Sequence, residues 1–392
     1  MSRVFITAAS VTTPIGCTVE DFYNGIANKK KGIIPIPEFN AFPINFGGAI
    51  TEFNNQNWDR KHELFEKTLE QLFAAKSSVS AFPENNRILS VGAGIDYFDI
   101  KKYIDSDDSK KNNWRPYSKN SYQMLKVIAE QKRIRGGTFV NVAACVASSQ
   151  AMGLAYRILK KEPQKIIITG GVDSMLNHLH FMGFYKLGAL TTWRGAAEDS
   201  CRPFDINRCG IALGEGCALF AFQNEATIGA SEILAEICGY ASSIDAYSVT
   251  DPDPEGTAIL EACASAINEA GISADEIDAV HLHGTGTIKN DIAEANAIKK
   301  IFGGRYSEVP VFSLKGQTGH LISACGAVEM LAVLYSLKYQ KMPVTVNCEK
   351  IDPALGLRVI QQNELKMKIK YILKLNAAFG GQNTAFVVKY AN

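Results

Sequence analysis

Val140-Asn141-Val142-Ala143-Ala144-Cys145-Val146-Ala147-Ser148-Ser149-Gln150 lies inside an uncharged stretch that runs from Gly136 to Tyr156. The length approaches that of a membrane span, but Asn141, Ser148, Ser149, Gln150 and the glycines suit lipid poorly. The stretch therefore predicts a buried β-branched strand, a turn of small residues and a buried helix, with no membrane span. Working outward, the same alternation recurs. Candidate strands are 3–7, 88–91, 138–142, 165–169, 217–222, 279–282, 309–312 and 384–389, and candidate helices are 19–27, 62–80, 146–161, 255–270, 291–302 and 324–339. Strand-then-helix alternation over this length implies an α/β protein with buried sheets. A fully apolar run such as Ile166-Ile167-Ile168 fits a sheet covered on both faces. Two halves, roughly 1–224 and 225–392, each carry strands, buried helices and a glycine-rich segment, although no sequence repeat is legible. The polar stretch Lys101–Lys119 predicts a solvated loop with helical flanks.

The chain has 392 residues, enough for two or three domains of about 150 residues each. Apolar residues make up 46%, charged residues 21%, and 41 basic against 40 acidic side chains leave a net charge of +1. This balance excludes intrinsic disorder and gives no overall electrostatic reason to bind nucleic acid or a membrane surface. Nine cysteines without a C-x-x-C pair argue against a zinc ribbon or a thioredoxin-type site and read as reduced thiols of a cytoplasmic protein.

Four segments carry chemistry. Cys145, on the first turn of a buried helix, would see the positive end of the helix dipole, which favours thiolate; the same residue would also serve as a small buried apolar group. In His281-Leu282-His283-Gly284-Thr285-Gly286-Thr287, strand alternation puts His281 and His283 on one face, before a helix carrying Asp291 and Glu294. No third ligand stands at a zinc-like spacing from the two histidines, so no metal is expected. Lys315-Gly316-Gln317-Thr318-Gly319-His320 ends a strand and precedes a small-residue helix containing Glu329. Asn376-Ala377-Ala378-Phe379-Gly380-Gly381 forms a glycine turn before the last strand.

Taken together, Cys145, His283–Thr287, Lys315–His320 and Phe379–Gly381 resemble the elongating β-ketoacyl-acyl-carrier-protein synthases, the ketosynthases of the thiolase-like superfamily. Arg202-Pro203-Phe204-Asp205, Arg208, Gly210 and Gly214-Glu215-Gly216 match that family's central signature. The resemblance runs end to end. It implies a thiolase fold, two similar α/β halves in a five-layered αβαβα arrangement, working as a homodimer or as a heterodimer with a related ketosynthase-like subunit. It also implies a decarboxylative Claisen condensation between a Cys145-bound acyl group and malonyl-acyl-carrier protein, in fatty acid or polyketide/polyene biosynthesis. No organic cofactor is implied, because phosphopantetheine arrives on the acyl carrier protein.

In this reading Cys145 takes the acyl chain, while neutral His283 and His320 donate hydrogen bonds to the malonyl thioester oxygen. Lys315 orients the site with Glu294 as its ionic partner, supported by Asp291. The backbone N–H groups of Cys145 and Phe379 form an oxyanion hole. Thr285 and Thr287 suit the pantetheine amides, Phe379 gates, and Phe184 lines the acyl pocket. Several positions depart from the family pattern. Ala143 and Ala378 replace a hydroxyl residue and a glycine, and Gln382 replaces a threonine. An alanine at 378 would stiffen the gate loop by resisting positive φ. His281 stands where asparagine is common, at a monovalent-cation position shared with Glu329, which bears against cation binding. Helix 62–80 is less basic than a usual carrier-docking helix. These departures point to a specialised synthase. Two other readings remain: a non-catalytic chain-length subunit, disfavoured by Cys145, and a thiolase-type acyltransferase, disfavoured by the paired histidines.

Overall fold

A computed structural model of the chain describes residues 2–40, 42–52, 60–75, 77–229 and 232–391. The main sheet holds β1 (Val4–Thr12), β2 (Arg87–Ala93), β3 (Thr138–Asn141), β4 (Ile166–Ser174), β5 (Glu215–Asn224), β6 (Ala235–Ile244), β7 (Ala279–His281), β8 (Pro310–Phe312), β9 (Arg358–Val359), β10 (Tyr371–Ala377) and β11 (Gln382–Tyr390). Their order is β9-β8-β7-β10-β11-β6-β1-β5-β4-β2-β3. Outward from the central antiparallel pair β1/β6, each side shows the same succession. β5 and β4 join antiparallel, then β2 and β3 parallel; opposite them β11 and β10 join antiparallel, then β7 and β8 parallel.

The larger helices are α1 (Val19–Ala27), α2 (Arg60–Ala75), α3 (Ser121–Gln131), α4 (Ala147–Lys161), α5 (Thr257–Glu269), α6 (Ile288–Phe302) and α7 (Cys325–Tyr339). Side-chain alternation along the strands sorts them into layers. In β4, Ile167 joins a central core with Met152 of α4 and Met330 of α7, while Ile166 and Ile168 join an outer core with Leu64 and Phe65 of α2 and Ile128 of α3. In β10, Ile372 belongs to the central core, whereas Leu373 and Leu375 pack on Ile259 of α5 and Ile298 of α6. The result is helix, sheet, helix, sheet, helix: the thiolase fold. Because α7 lies between the two halves of the sheet, which act as two layers, it has no polar face, and every residue from Cys325 to Leu337 is buried. The window Ile322–Tyr339 is long and apolar enough to cross a bilayer by composition, yet 89% of it is buried inside the protein, as a core helix would be.

The structure alters several expectations. The predicted helix 62–80 is α2 ending at Ala75 plus a short helix Ser77–Ala81, with residue 76 outside the described residues. In the stretch 101–119 the first part is two short helices, Ile100–Asp105 and Asp107–Lys110, with Asp99 capping the first by accepting from the Lys102 N–H, and the irregular part follows from Lys111 to a 3-10 turn at Arg115–Tyr117. Strands β6 and β10 have no counterpart in the sequence reading. The second half of β6 is partly exposed, and Lys374 interrupts the apolar pattern of β10.

The central helices share one entrance geometry. Ala144 (φ 46°) opens a 3-10 turn Ala144–Val146 that leads into α4, and Ile322 (φ 47°) opens a 3-10 turn Ile322–Ala324 that leads into α7. A left-handed backbone at a residue with a β-carbon costs about 1–2 kcal/mol, and here it aims each turn at the space between the halves. The helices then approach closely: a β-carbon on Gly326 would lie 2.1 Å from Ser149 Oγ.

Candidate active site

Cys145 sits in the 3-10 turn, one residue before Val146, the N-cap of α4. No side chain caps that helix end, so its positive pole is left for the cavity. His283 follows β7, and His320 follows the short helix Lys315–Thr318 after β8. The thiol and one nitrogen from each imidazole lie within 4.8 Å of one another, and all three residues are buried. The two rings meet edge to face with centroids 5.2 Å apart.

Each imidazole is held in one tautomer. His320 Nδ1 accepts from the Ile322 N–H at 3.0 Å, with the Cys325 thiol 3.5 Å away. His283 Nδ1 faces two donors, Lys315 Nζ at 3.1 Å and Asn376 Nδ2 at 3.2 Å. In a neutral ring this leaves the proton on Nε2 in both cases. Burial, then the nearby Lys315 charge, lowers both histidines well below the usual range, so the rings are neutral.

Cys145 does not follow the expectation of a depressed thiol. Burial pushes it up to about 12, against the opposing pull of the Lys315 charge and a hydrogen bond from the Phe379 N–H. At this buried position, desolvation of the thiolate outweighs the helix end. Phe379 packs on Phe184 with ring centroids 6.3 Å apart. The left-handed residues of this loop are Gly380 (φ 80°) and Gly381 (φ 74°); Ala378 is not among the residues with positive φ, so the alanine costs no such strain.

The ionic partner of Lys315 is Glu329, not Glu294. Glu294 instead accepts from the backbone N–H groups of His283 (2.6 Å) and Gly284 (2.7 Å) and from Asn290 (2.8 Å), pinning the turn that carries the imidazole. Burial and then Asp291 raise its carboxyl to about 8. Asp291 is likewise structural: it accepts from the Phe204 N–H at 2.9 Å and pairs with Arg208 at 3.5 Å, tying the Arg202–Arg208 signature to α6. The reason is layer position. Glu294 rides on the outer helix α6 beneath the turn, whereas Glu329 rides on α7 in the central layer with Lys315. At the start of α2, Arg60 pairs with Glu215 and Lys61 donates to the Ile95 carbonyl, so the first basic pair of that helix is tied inward.

Glu329 bears on the cation question. Its Oε1 is paired with Lys315, its Oε2 accepts from Asn376, and Lys374 Nζ lies 3.9 Å from Oε2. A monovalent cation placed there would face two ammonium groups, so these residues do not fit one.

A cavity of about 510 Å³ opens onto the thiol. Its wall includes Cys145, His283, His320, Phe184, Phe379, Thr285 and Thr287. Thr285 Oγ1 and Thr287 Oγ1 lie 2.9 Å apart, and Thr287 also caps α6. The sequence reading missed Cys325, Asn376 and Lys374 around the imidazoles. One signal was available: a glutamate in an otherwise apolar helix requires a buried counter-charge.

Comparison with known proteins agrees with this geometry. The family description "Beta-ketoacyl synthase, N-terminal domain" matches residues 1–227, and "Beta-ketoacyl synthase, C-terminal domain" matches residues 234–349. A 3-oxoacyl-[acyl-carrier-protein] synthase 2 of Synechocystis sp. is 28% identical over 99% of this chain and 98% of its own length. One from Staphylococcus aureus is 28% identical with the same coverage. Among solved structures, a ketosynthase of a type II PKS in complex with its acyl-carrier protein superposes over 100% of both chains, with a TM-score of 0.90 and 24% identity. The ishigamide ketosynthase/chain length factor also covers 100% of both chains, with a TM-score of 0.88 and 23% identity. The chain belongs to the β-ketoacyl synthase family.

Proposed function

We propose that this β-ketoacyl synthase carries its acyl chain on Cys145 and condenses it with a malonyl unit held by His283 and His320. The observation that carries the assignment is the thiol and two neutral imidazoles within 4.8 Å at the end of one cavity. In the first half-reaction, Cys145 sulfur bonds to the acyl carbon and the carrier's pantetheine sulfur leaves with the proton. A thiol that resists ionisation at rest fits this exchange, because charge need develop only while the carbonyl is attacked. The Phe379 N–H, already directed at the sulfur, and the Cys145 N–H are the donors for the oxyanion.

In the second half-reaction, loss of carbon dioxide from the malonyl group leaves its electron pair as an enolate. The two Nε2–H groups donate to the enolate oxygen, and the carbanion attacks the acyl carbon. Cys145 departs as thiolate and takes a proton. Lys315 does not react; it positions His283 through its ring nitrogen and carbonyl. Glu294 and Asp291 hold the loop, while Phe184 and Phe379 border the acyl chain.

The carrier's phosphopantetheine arm enters past Thr285 and Thr287 in this reading. A dimer, of like or related subunits, is supported by β3. It ends the sheet with no outer partner among the described residues and exposes Phe139, with Val142 exposed just beyond its end. The nine unpaired thiols support a reducing, cytoplasmic setting. The two strand series meeting at β1/β6 support a division into halves near residue 225. The test is intact-mass analysis of the protein offered acyl-carrier thioesters. Wild type gains one acyl group and Cys145→Ala none, whereas an adduct persisting in the variant would overturn the nucleophile assignment.

A further inference from the structure

Lys374 is fully buried at the middle of β10. It shares its face with Ile372 and Asn376, and that face turns to the central helices. Across the parallel ladder its register partner is His281, whose two ring nitrogens have no hydrogen-bond partner among the described residues. A lone ammonium is not left in such a place without compensation. Lys374 Nζ donates to Asn376 Oδ1, which also accepts from Ser149 Oγ at 2.8 Å, and it lies 3.9 Å from Glu329 Oε2. Asn376 passes the arrangement on: its amide hydrogens go to Glu329 Oε2 and to His283 Nδ1. An ammonium has donors only, so it can face only the oxygen end of that amide. The NH₂ end is thereby turned to the imidazole.

We propose that Lys374 is a positioning residue that supplies a built-in cation behind His283, sharing Glu329 with Lys315 so that this sealed cluster keeps one net positive charge under the two imidazoles. Two ammonium groups and one carboxylate sum to that charge, and it lies on the Nδ1 side of His283, across the ring from the Nε2–H that would meet the enolate oxygen. The groups facing Lys374 are Glu329, Lys315 and Cys325, with neutral His281 beside it. Burial outweighs the pull of Glu329 and brings the lysine down to about 8, which keeps the ammonium the major form at pH 7. The same ammonium accounts for the poor fit of a free monovalent cation at Glu329. This inference rests on His283 acting as a donor to the malonyl thioester.

The test compares wild type, Lys374→Met and Lys374→Ala for two rates, carbon dioxide release from malonyl-carrier and self-acylation by acyl-carrier. Lys374→Met is expected to lose tenfold to a hundredfold in decarboxylation and less than threefold in acylation. Lys374→Ala removes Cγ, Cδ, Cε and Nζ and opens a space that admits a small ammonium ion, so ammonium or methylammonium chloride should restore at least part of the decarboxylation rate and raise the melting temperature. Tetramethylammonium chloride at equal ionic strength should do neither. Decarboxylation by Lys374→Met at the wild-type rate, equal losses in both rates, or equal rescue by all three salts would overturn the proposal. A wild-type protein unable to decarboxylate malonyl-carrier would instead overturn the role given to His283, so the two failures are distinguishable.

Discussion

Removing the His283 ring should separate the two half-reactions. His283→Ala deletes one of the two N–H donors to the enolate oxygen, and the loss of one such preorganised donor costs about 10²–10³ in rate, or about 2.7–4 kcal/mol. The fold should tolerate the change. The ring accepts two hydrogen bonds, from Lys315 and Asn376, and both donors keep other partners: the His283 carbonyl and Glu329 for Lys315, and Glu329 for Asn376. At about 1 kcal/mol per hydrogen bond, the stability loss is about 2 kcal/mol. Release of labelled carbon dioxide from malonyl-carrier should therefore fall 10²–10³-fold. Formation of the Cys145 acyl adduct, followed by intact mass, should fall less than tenfold, since the Phe379 and Cys145 N–H groups are untouched. Equal losses in both reactions, or a loss of decarboxylation below tenfold, would refute the division of roles.

Alkylation of Cys145 by iodoacetamide should rise about tenfold per pH unit from pH 7 to 10 with no plateau, because its thiol is pushed up to about 12; a plateau below pH 8 in peptide mapping would show the helix end and Lys315 winning over burial. His281→Leu should stabilise the fold by about 1–3 kcal/mol at pH 8 in urea unfolding, since it removes an unpartnered buried imidazole. Its pH dependence should also change. The folded-state pKa of His281 lies well below the unfolded value near 6.5, so the unfolded chain binds the extra proton and stability is lost as pH falls below about 6.5. The variant should lose about 1.4 kcal/mol less per pH unit there, and identical slopes would refute the neutral assignment. Gly326→Ala should cost about 1–3 kcal/mol, because its β-carbon meets Ser149 Oγ at 2.1 Å; adding Ser149→Gly should return part of that loss, and no recovery would place the clash elsewhere.

The chemistry-bearing residues stand in short local patterns and were legible: Cys145 before a small-residue helix, two histidines in glycine turns, and Phe379 before the last strand. Each pattern is complete within a few residues, and although each alone also fits a turn or a buried apolar group, the four in their order resemble one family. α1 was read at its observed bounds, and in the structure Thr18 caps it by accepting from the Asp21 N–H. The strand β10 was not, because an alternation signal treats Lys374 and Asn376 as solvent-facing, and only the neighbouring carboxylate makes them tolerable inside.

What the sequence alone determined is thus the α/β class, which follows from local periodicity, and the order of the reactive segments with the identities of the thiol and the two rings, which follow from the resemblance that the motifs carry together. Three things waited on tertiary structure. One is which glutamate meets Lys315, since Glu294 and Glu329 lie on helices in different layers and nothing local ranks them. Another is the state of Cys145, where burial by distant segments outweighs the helix it precedes. The last is the ammonium behind His283. Ionic pairing and desolvation depend on distances between segments far apart in the chain, and folding alone sets those distances.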